Sequence, residues 1–358
     1  MMVSSAALAG IRVVDFSSLL PGPLCTLMLA EAGADVIKIE RPGIGDEMRS
    51  YTPRFGEDSV NFALLNRGKE FLALDLKSPE GFARAVELVK TADVVVEQFR
   101  PGVMDRLGLG YEALSELNPR IVYCSISGWG QSGPLANVAA HDLNYQAETG
   151  LLSLTADGTG APQLPNILAA DIAGGAYPAV INILLALRAR EPSGKGQYID
   201  ISMSDNLFPF VYWGLGKGFS EGDWPAAGSD LVTGESPRYQ IYRTRDGRYL
   251  AAAPLEQKFW ENFLRILEIP HLLHERNARE VKRTVASIVA TRTSDEWEQR
   301  FSGVDACVTV VKSLRESVDH PHFRQRGLFN RYIEASDGQR IPALPMPISP
   351  GLRRKEGC

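Results

Sequence analysis

The sequence predicts an α/β protein, with a covered parallel sheet in its larger part and a smaller α+β part after it. Three observations predict this. Residues 1–130 alternate β-branched runs with helical stretches, Pro and Gly punctuate those runs, and a hairpin signal followed by helical segments occupies residues 239–301.

Each element follows from its own residues. Residues 11–16 read as a strand, 23–33 as a helix with Pro23 at its start and Gly33 at its end, and 35–40 as the next strand, which makes a β-α-β unit. The pattern recurs with strands over 71–76, 93–98 and 121–127 and a helix over 78–91 capped by Ser78. Strands alternating with helices imply parallel pairing, and such a sheet holds ligands beyond the carboxyl ends of its strands. Arg41, Lys77 and Arg100 each lie just past a predicted strand end. Residues 166–190 read as helical, with Ile181, Leu184, Leu185 and Leu187 as the apolar face and Arg188 and Arg190 against the negative end of the helix. Ser193 to Gln197 is then a turn into a strand over 198–201. A stretch rich in Gly, Ser, Asp and Pro over 214–236 predicts a linker. Beyond it, strands over 239–244 and 249–253 flank Arg245-Asp246-Gly247-Arg248, whose Asp-Gly pair is a hairpin signal, and helices follow over 256–267 and 294–301.

Composition narrows the function. With 358 residues, 44% hydrophobic and 8% aromatic, the chain can bury a substantial core and is long enough for two domains. A net charge of −5 supplies no global field for nucleic acid or anionic membrane, so a polyanionic ligand would need local arginines. Cys25, Cys124, Cys307 and Cys358 are far apart and form no Cys-x-x-Cys pair, which argues for a reducing compartment and against structural zinc. Residues 1–10 lack the pattern of a secretory leader, no run reaches the roughly 18 apolar residues of a membrane span, and the final Lys355-Glu356-Gly357-Cys358 matches no lipidation or retention signal. A cytoplasmic protein without metal, nucleic-acid or membrane partners is the expectation.

Two residues carry the chemistry. His141, in Ala140-His141-Asp142-Leu143-Asn144-Tyr145, and Asp171 each precede a helical stretch, from which an imidazole and a carboxylate can reach opposite faces of one small substrate and move a proton off and back onto carbon. A structural histidine and a helix-capping aspartate fit the same residues. Gly174 and Gly175 follow Asp171 and would let a backbone N–H approach a substrate oxygen such as that of a thioester enolate; close packing of that helix end is the other reading. The cations Arg41, Arg67, Lys69, Lys77, Arg100 and Arg106 cluster in the first third, where phosphates could be held. Arg41 and Arg100 both precede Pro-Gly, which fixes a turn at the strand end and favours a phosphate role. Other signals fail. Gly108-x-Gly110 follows a helical stretch and not a strand, Gly194-Lys195 is followed by Gly196 and not Ser or Thr, His320-Pro321-His322 lacks nearby cysteines or carboxylates, and Ser132 lacks a nucleophile elbow.

Several segments together resemble the class III CoA-transferase superfamily, and within it the alpha-methylacyl-CoA racemases: Leu20-Pro21-Gly22-Pro23, the run from Gly33 to Pro42, Asp75-Leu76-Lys77, Arg100-Pro101-Gly102-Val103, Arg106 to Gly110, Ser127 to Pro134, Ser193 to Gln197, and Asp305 to Val308. The resemblance implies a Rossmann-like large domain built from both ends of the chain, a small α+β domain, and an interlocked homodimer. Its boundaries would be 1–200 for the N-terminal part of the CoA-binding domain, 201–236 for a linker, 237–320 for the small domain and 321–358 for the return segment. It implies that His141 and Asp171 are the two α-carbon bases, that Glu256 pairs with the histidine, and that Arg41, Leu76, Lys77, Phe99, Arg100 and Arg106 contact CoA. The substrate would be an acyl-CoA, with no cofactor beyond the CoA it carries. Racemisation of a 2-methylacyl-CoA is the leading expectation. The alternatives are CoA transfer through an aspartyl-CoA on Asp171 and a non-catalytic CoA-binding protein. Ala140 replaces the glycine usual before the histidine, and the seven methionines are few beside the methionine-rich acyl surface of those racemases, which bears on the acyl group.

Overall fold

Short β-branched runs build a six-stranded sheet in the computed structural model, which describes residues 6–156 and 159–354; the tail 355–358, with Cys358, lies outside the described residues. The strands are β1 (Arg12–Asp15), β2 (Asp35–Glu40), β3 (Glu70–Ala73), β4 (Val94–Glu97), β5 (Val122–Ser127) and β6 (Gln197–Ser202). Their order is β3-β2-β1-β4-β5-β6 and every neighbouring pair is parallel. Successive side chains point to opposite faces, so the valines of β1 and β4 feed two cores. Val13, Val94 and Val96 pack with α1 (Pro21–Glu31), while Val14 and Val95 pack with α2 (Pro79–Lys90) and α3 (Tyr111–Leu117). The strand order turns back between β1 and β4, and doubly wound sheets open their ligand crevice at that point.

The described chain divides into two units. One takes the described parts of Met1–Leu151, Leu164–Phe210 and Gly327–Cys358, the other those of Leu152–Gln163 and Val211–Arg326. The final segment belongs to the first unit through specific contacts. Buried Glu31 in α1 accepts from Arg67 Nε at 2.9 Å and also meets Arg331, Arg67 Nη2 donates to the Leu344 carbonyl at 2.7 Å, and Met346 joins the α1 core. In the second unit, β7 (Gln240–Arg243), β8 (Tyr249–Ala252) and β9 (Val308–Val310) form an antiparallel sheet in the order β9-β8-β7, packed against Trp260, Phe263, Val285 and Trp297 of its helices. The Asp246-Gly247 hairpin turn forms with Gly247 at φ 80, and Asp246 also accepts from the N–H and hydroxyl of Ser294.

Three expectations are corrected. Residues 201–236 are not a linker: β6 runs to Ser202 and is followed by a 3-10 turn (Asp205–Val211) and a helix (Tyr212–Glu221). Two of the glycines that suggested flexibility are contact points, since a Cβ on Gly214 would lie 2.7 Å from Pro225 and one on Gly218 2.4 Å from Trp224. Of the predicted apolar face of the helix after Asp171, only Leu187 is turned to the core. In α5 (Tyr177–Ser193), the core side is Ala179, Ile183, Ala186, Leu187 and Arg190, while Ile181, Leu184 and Leu185 are exposed. Small residues let the helix approach the sheet closely, and Arg190 reaches Asp93 at 2.8 Å instead of serving the helix end. The stretch Ala170–Ser193 is also long and apolar enough to cross a membrane by length and composition, contrary to the sequence reading. Its inner face is nonetheless part of the sheet core.

Candidate active site

The crevice between β1 and β4 is closed by the protein itself. Gly22, at the start of α1, donates its N–H to Gln98 Oε1 at 3.0 Å, and a Cβ there would lie 2.2 Å from Ser17. Pro21 and Pro23 have no N–H to offer. A dinucleotide pyrophosphate therefore finds no free helix N-terminus here, consistent with the missing glycine fingerprint. The loop leading into α1 is held by a buried ionic network. Asp15 pairs with Lys69 at 3.3 Å and accepts from Thr26 Oγ1 at 2.5 Å, while Lys38 pairs with Asp46 at 3.1 Å and donates to the Ser17 carbonyl. Asp46 also receives the N–H of Leu19, whose φ of 62 is the left-handed region that leucine avoids.

The expected phosphate-binding cations separate into two groups. Arg41, Lys77, Arg100 and Arg106 are exposed along the carboxyl edge of the sheet, and none is ion-paired among the described residues. Arg41-Pro42-Gly43 and Arg100-Pro101-Gly102 both form tight turns, with Gly43 at φ 74 and Gly102 at φ 75 and hydrogen bonds from Ile44 and Val103 back to the arginine carbonyls. These are type II turns, which need glycine at their third position. Half-buried Leu76 and Phe99 add apolar surface beside this edge. Arg67 and Lys69 do not belong to it. Arg67 is committed to Glu31, and Lys69 is fully buried on Asp15, Asn66 and the Pro23 carbonyl.

Glu97, at the end of β4, was missed by the sequence reading because a lone acidic residue in a strand carries no signal. It is 4% exposed and accepts from the Phe99 N–H at 2.8 Å, and burial pushes its carboxyl up to about 7. The folded state then holds a proton that the unfolded chain, with its group near 4.5, has released, so stability falls as pH rises from about 4.5 to 7. Glu97→Gln is expected to flatten the fall in melting temperature between about pH 5 and pH 7.5; an unchanged slope would assign that fall to another group.

The two proposed bases meet through the residue between them. His141 is the exposed N-cap of α4 (Asp142–Glu148), with its N–H bonded to Asn144 Oδ1 at 3.0 Å. The next residue, Asp142, is buried and accepts the Asp171 N–H on Oδ1 at 3.0 Å and Gln146 Nε2 on Oδ2 at 2.6 Å. Asp171 is not an N-cap; it lies inside a π-helical turn, Ala170–Ala176, that leads into α5. Such turns recur at functional sites because the wider backbone re-aims a side chain. Burial pushes the Asp171 carboxyl up to about 6, with Asp142 adding to the rise and His141 opposing it. The N–H groups expected to face an enolate near 171–174 are not available as a set. Those of Asp171 and Ile172 go to Asp142 and Leu168, and Gly174 packs so tightly that a Cβ would sit 2.3 Å from the Met203 carbonyl oxygen. The close-packing reading of the two glycines therefore holds. In α4, the N–H groups of Asn144 and Tyr145 turn back to the His141 carbonyl, which leaves those of Asp142 and Leu143 as its first-turn donors. Glu256 caps the helix Gln257–Ile266 in the second unit and is exposed. Among the described residues no group of His, Cys, Asp and Glu is placed to hold a metal ion.

A doubly wound sheet with unpaired cations along its carboxyl edge, and an imidazole brought up to a half-buried carboxylate, defines an α/β enzyme of acid–base or nucleophilic type. Comparison with known proteins narrows the class. A family model for CoA-transferase family III matches residues 8–354, so the chain belongs to that family. It is 38% identical over 348 residues to the human alpha-methylacyl-CoA racemase, spanning 96% of this chain and 86% of that one. It is 33% identical over 351 residues to the acetyl-CoA:oxalate CoA-transferase of Acetobacter aceti, spanning 95% and 88%. A CaiB/BaiF family protein from Brucella suis superposes with a TM-score of 0.83 at 29% identity, covering 96% of this chain and 93% of that one.

Proposed function

We propose that this enzyme inverts the α-carbon of a 2-methylacyl-CoA thioester by 1,1-proton transfer. The observation that carries the reading is the pairing of His141 with Asp171 through Asp142, two groups of different charge type on adjoining turns. Arg41, Lys77, Arg100 and Arg106 hold the CoA phosphates, with Leu76 and Phe99 beside them. One base takes the α-proton, the electron pair moves onto the thioester oxygen, and the other base returns a proton to the opposite face. An unassisted thioester α-proton is too weakly acidic for either base, so the enolate oxygen needs donors, and the first-turn N–H groups of α4 supply them. Similarity to the human racemase supports the assignment.

The similarity to CoA-transferases favours a second reading, in which Asp171 attacks the acyl carbon and expels CoA thiolate to form a mixed anhydride, and the thiolate then attacks the aspartyl carbonyl, releasing the donor acid and leaving CoA on Asp171 as a thioester. Enzyme and one enantiomer of a 2-methylacyl-CoA in deuterated water, without an acceptor acid, distinguish the two. Deuterium gain with loss of optical purity is the expected result, and no exchange together with CoA transfer to added acids would overturn it. Because Asp171 acts as a base only when ionised, exchange should rise with pH through about 6 and not near 4. A pH–rate profile with an acid limb at ordinary aspartate values would exclude Asp171 from that role.

A homodimer in the cytoplasm completes the proposal. The exposed apolar face of α5, with Tyr177, Ile181, Leu184 and Leu185, supports a protein partner there.

A further inference from the structure

Asp142 is where the two proposed bases converge, and the proton-transfer scheme does not use its side chain. Its carboxylate is 5% exposed, and its hydrogen-bond partners, the Asp171 N–H and Gln146 Nε2, are amide donors and not cations. Gln146 is itself 4% exposed and reaches the Ile167 carbonyl at 3.4 Å, so the tie extends to the segment entering the π-helical turn. Burying a charge without a counter-charge is costly, and the two contacts use both carboxylate oxygens as acceptors, which a single amide group does not offer. Both oxygens are thus committed to joining the His141 turn and α4 to the π-helical turn, a role the proton-transfer scheme does not include.

We propose that Asp142 is a positioning residue for the reaction: its buried carboxylate ties the turn carrying His141 to the backbone of Asp171, sets the separation of the two bases, and presents a fixed negative charge to Asp171. The proposal deepens the racemase reading and rests on it. The titratable groups facing Asp171 are Asp142, His141 and Tyr145, all from the His141 turn and α4. From α1 and the segment after β6, the π-helical turn is met by Pro21 and Met203, which carry no charge. A neighbouring carboxylate raises the proton affinity of Asp171, so Asp142 makes it a stronger base than an ordinary aspartate while leaving it ionised at neutral pH.

Two variants separate the tie from the charge. Asp142→Asn keeps an oxygen for the Asp171 N–H and removes the charge, whereas Asp142→Ala removes both. The Asp171 carboxyl is titrated by carbon-13 NMR in each, and α-hydrogen exchange is followed against pH. In Asp142→Asn, the Asp171 titration and the acid limb of exchange are expected to move together to lower pH, with a plateau loss within about tenfold. In Asp142→Ala, exchange is expected to fall about 100-fold, the order expected for a misplacement of about 1 Å. An unmoved Asp171 titration in Asp142→Asn overturns the proposal, and so does full exchange activity in Asp142→Ala. The NMR titration needs no turnover. Wild-type enzyme that shows no exchange sinks the racemase reading, while the Asp142–Asp171 coupling is still measured.

Discussion

His141→Ala and Asp171→Asn are each expected to lower racemisation by about 10²–10⁴-fold, while each leaves α-hydrogen exchange intact in one enantiomer only. The two bases address opposite faces of the α-carbon. With one removed, the survivor can still take a proton from its own face and return deuterium to that face, so label enters without inversion. The enantiomer that exchanges in His141→Ala should be the one that fails in Asp171→Asn. Chiral analysis of the labelled product, with each pure enantiomer offered to each variant, reads this directly. A transferase predicts a different pattern, in which His141→Ala keeps most of its turnover and Asp171→Asn loses all of it. Exchange of both enantiomers in either single variant would show that one group serves both faces, and the two-base mechanism would fall.

The second large effect is on stability. Asp15→Ala is expected to lower the unfolding free energy by about 3–5 kcal/mol, because it leaves Lys69 fully buried and without its carboxylate. Lys69 is already pushed down to about 8, by burial first, with Asp15 pulling the other way. Removing Asp15 also frees Ser17 and Thr26, which it holds on either side of the turn into α1. Replacing both members with apolar residues of similar volume, Asp15→Leu with Lys69→Met, should recover most of the loss, since the cost lies in the orphaned buried amine and not in the missing pair. Urea unfolding of the three proteins checks this. A single variant within about 1 kcal/mol of wild type would place the network's importance elsewhere.

Local chemistry was legible in the sequence where the determining residues are neighbours. Arg-Pro-Gly predicted two turns because proline fixes one backbone angle and glycine admits the other, and both turns formed. The strands that open the sheet were readable from β-branched runs, and His141 was placed at a helix start from its surroundings. What failed depends on partners distant in sequence. Lys69 and Lys77 look alike in a sequence, and only the fold sends one into the core beside Asp15 and leaves the other at the sheet edge. The segment around Ile181 is apolar on most sides, so periodicity could not choose its buried face; the close approach permitted by Ala179 and Ala186 chose it. Asp142 and Glu97 were invisible as site residues because a carboxylate signals only through what surrounds it. The linker failed because Gly214 and Gly218 are small for packing against Pro225 and Trp224, and composition cannot distinguish that from flexibility.

The clasp on Glu31 sets a schedule for biosynthesis. Arg331 follows Glu31 by 300 residues, and at about 5–20 residues per second the ribosome needs roughly 15–60 s to deliver it. Throughout that interval the first strands and α1 have been made, but the seat for Met346 is uncovered and one acid is short of a partner. The inserted unit, continuous from Val211 to Arg326 but for one short strip, emerges whole in the meantime. The nascent chain thus carries an early segment unfinished until a late one arrives, and the order of synthesis delays completion of the α1 core until Arg331 and Met346 have been made.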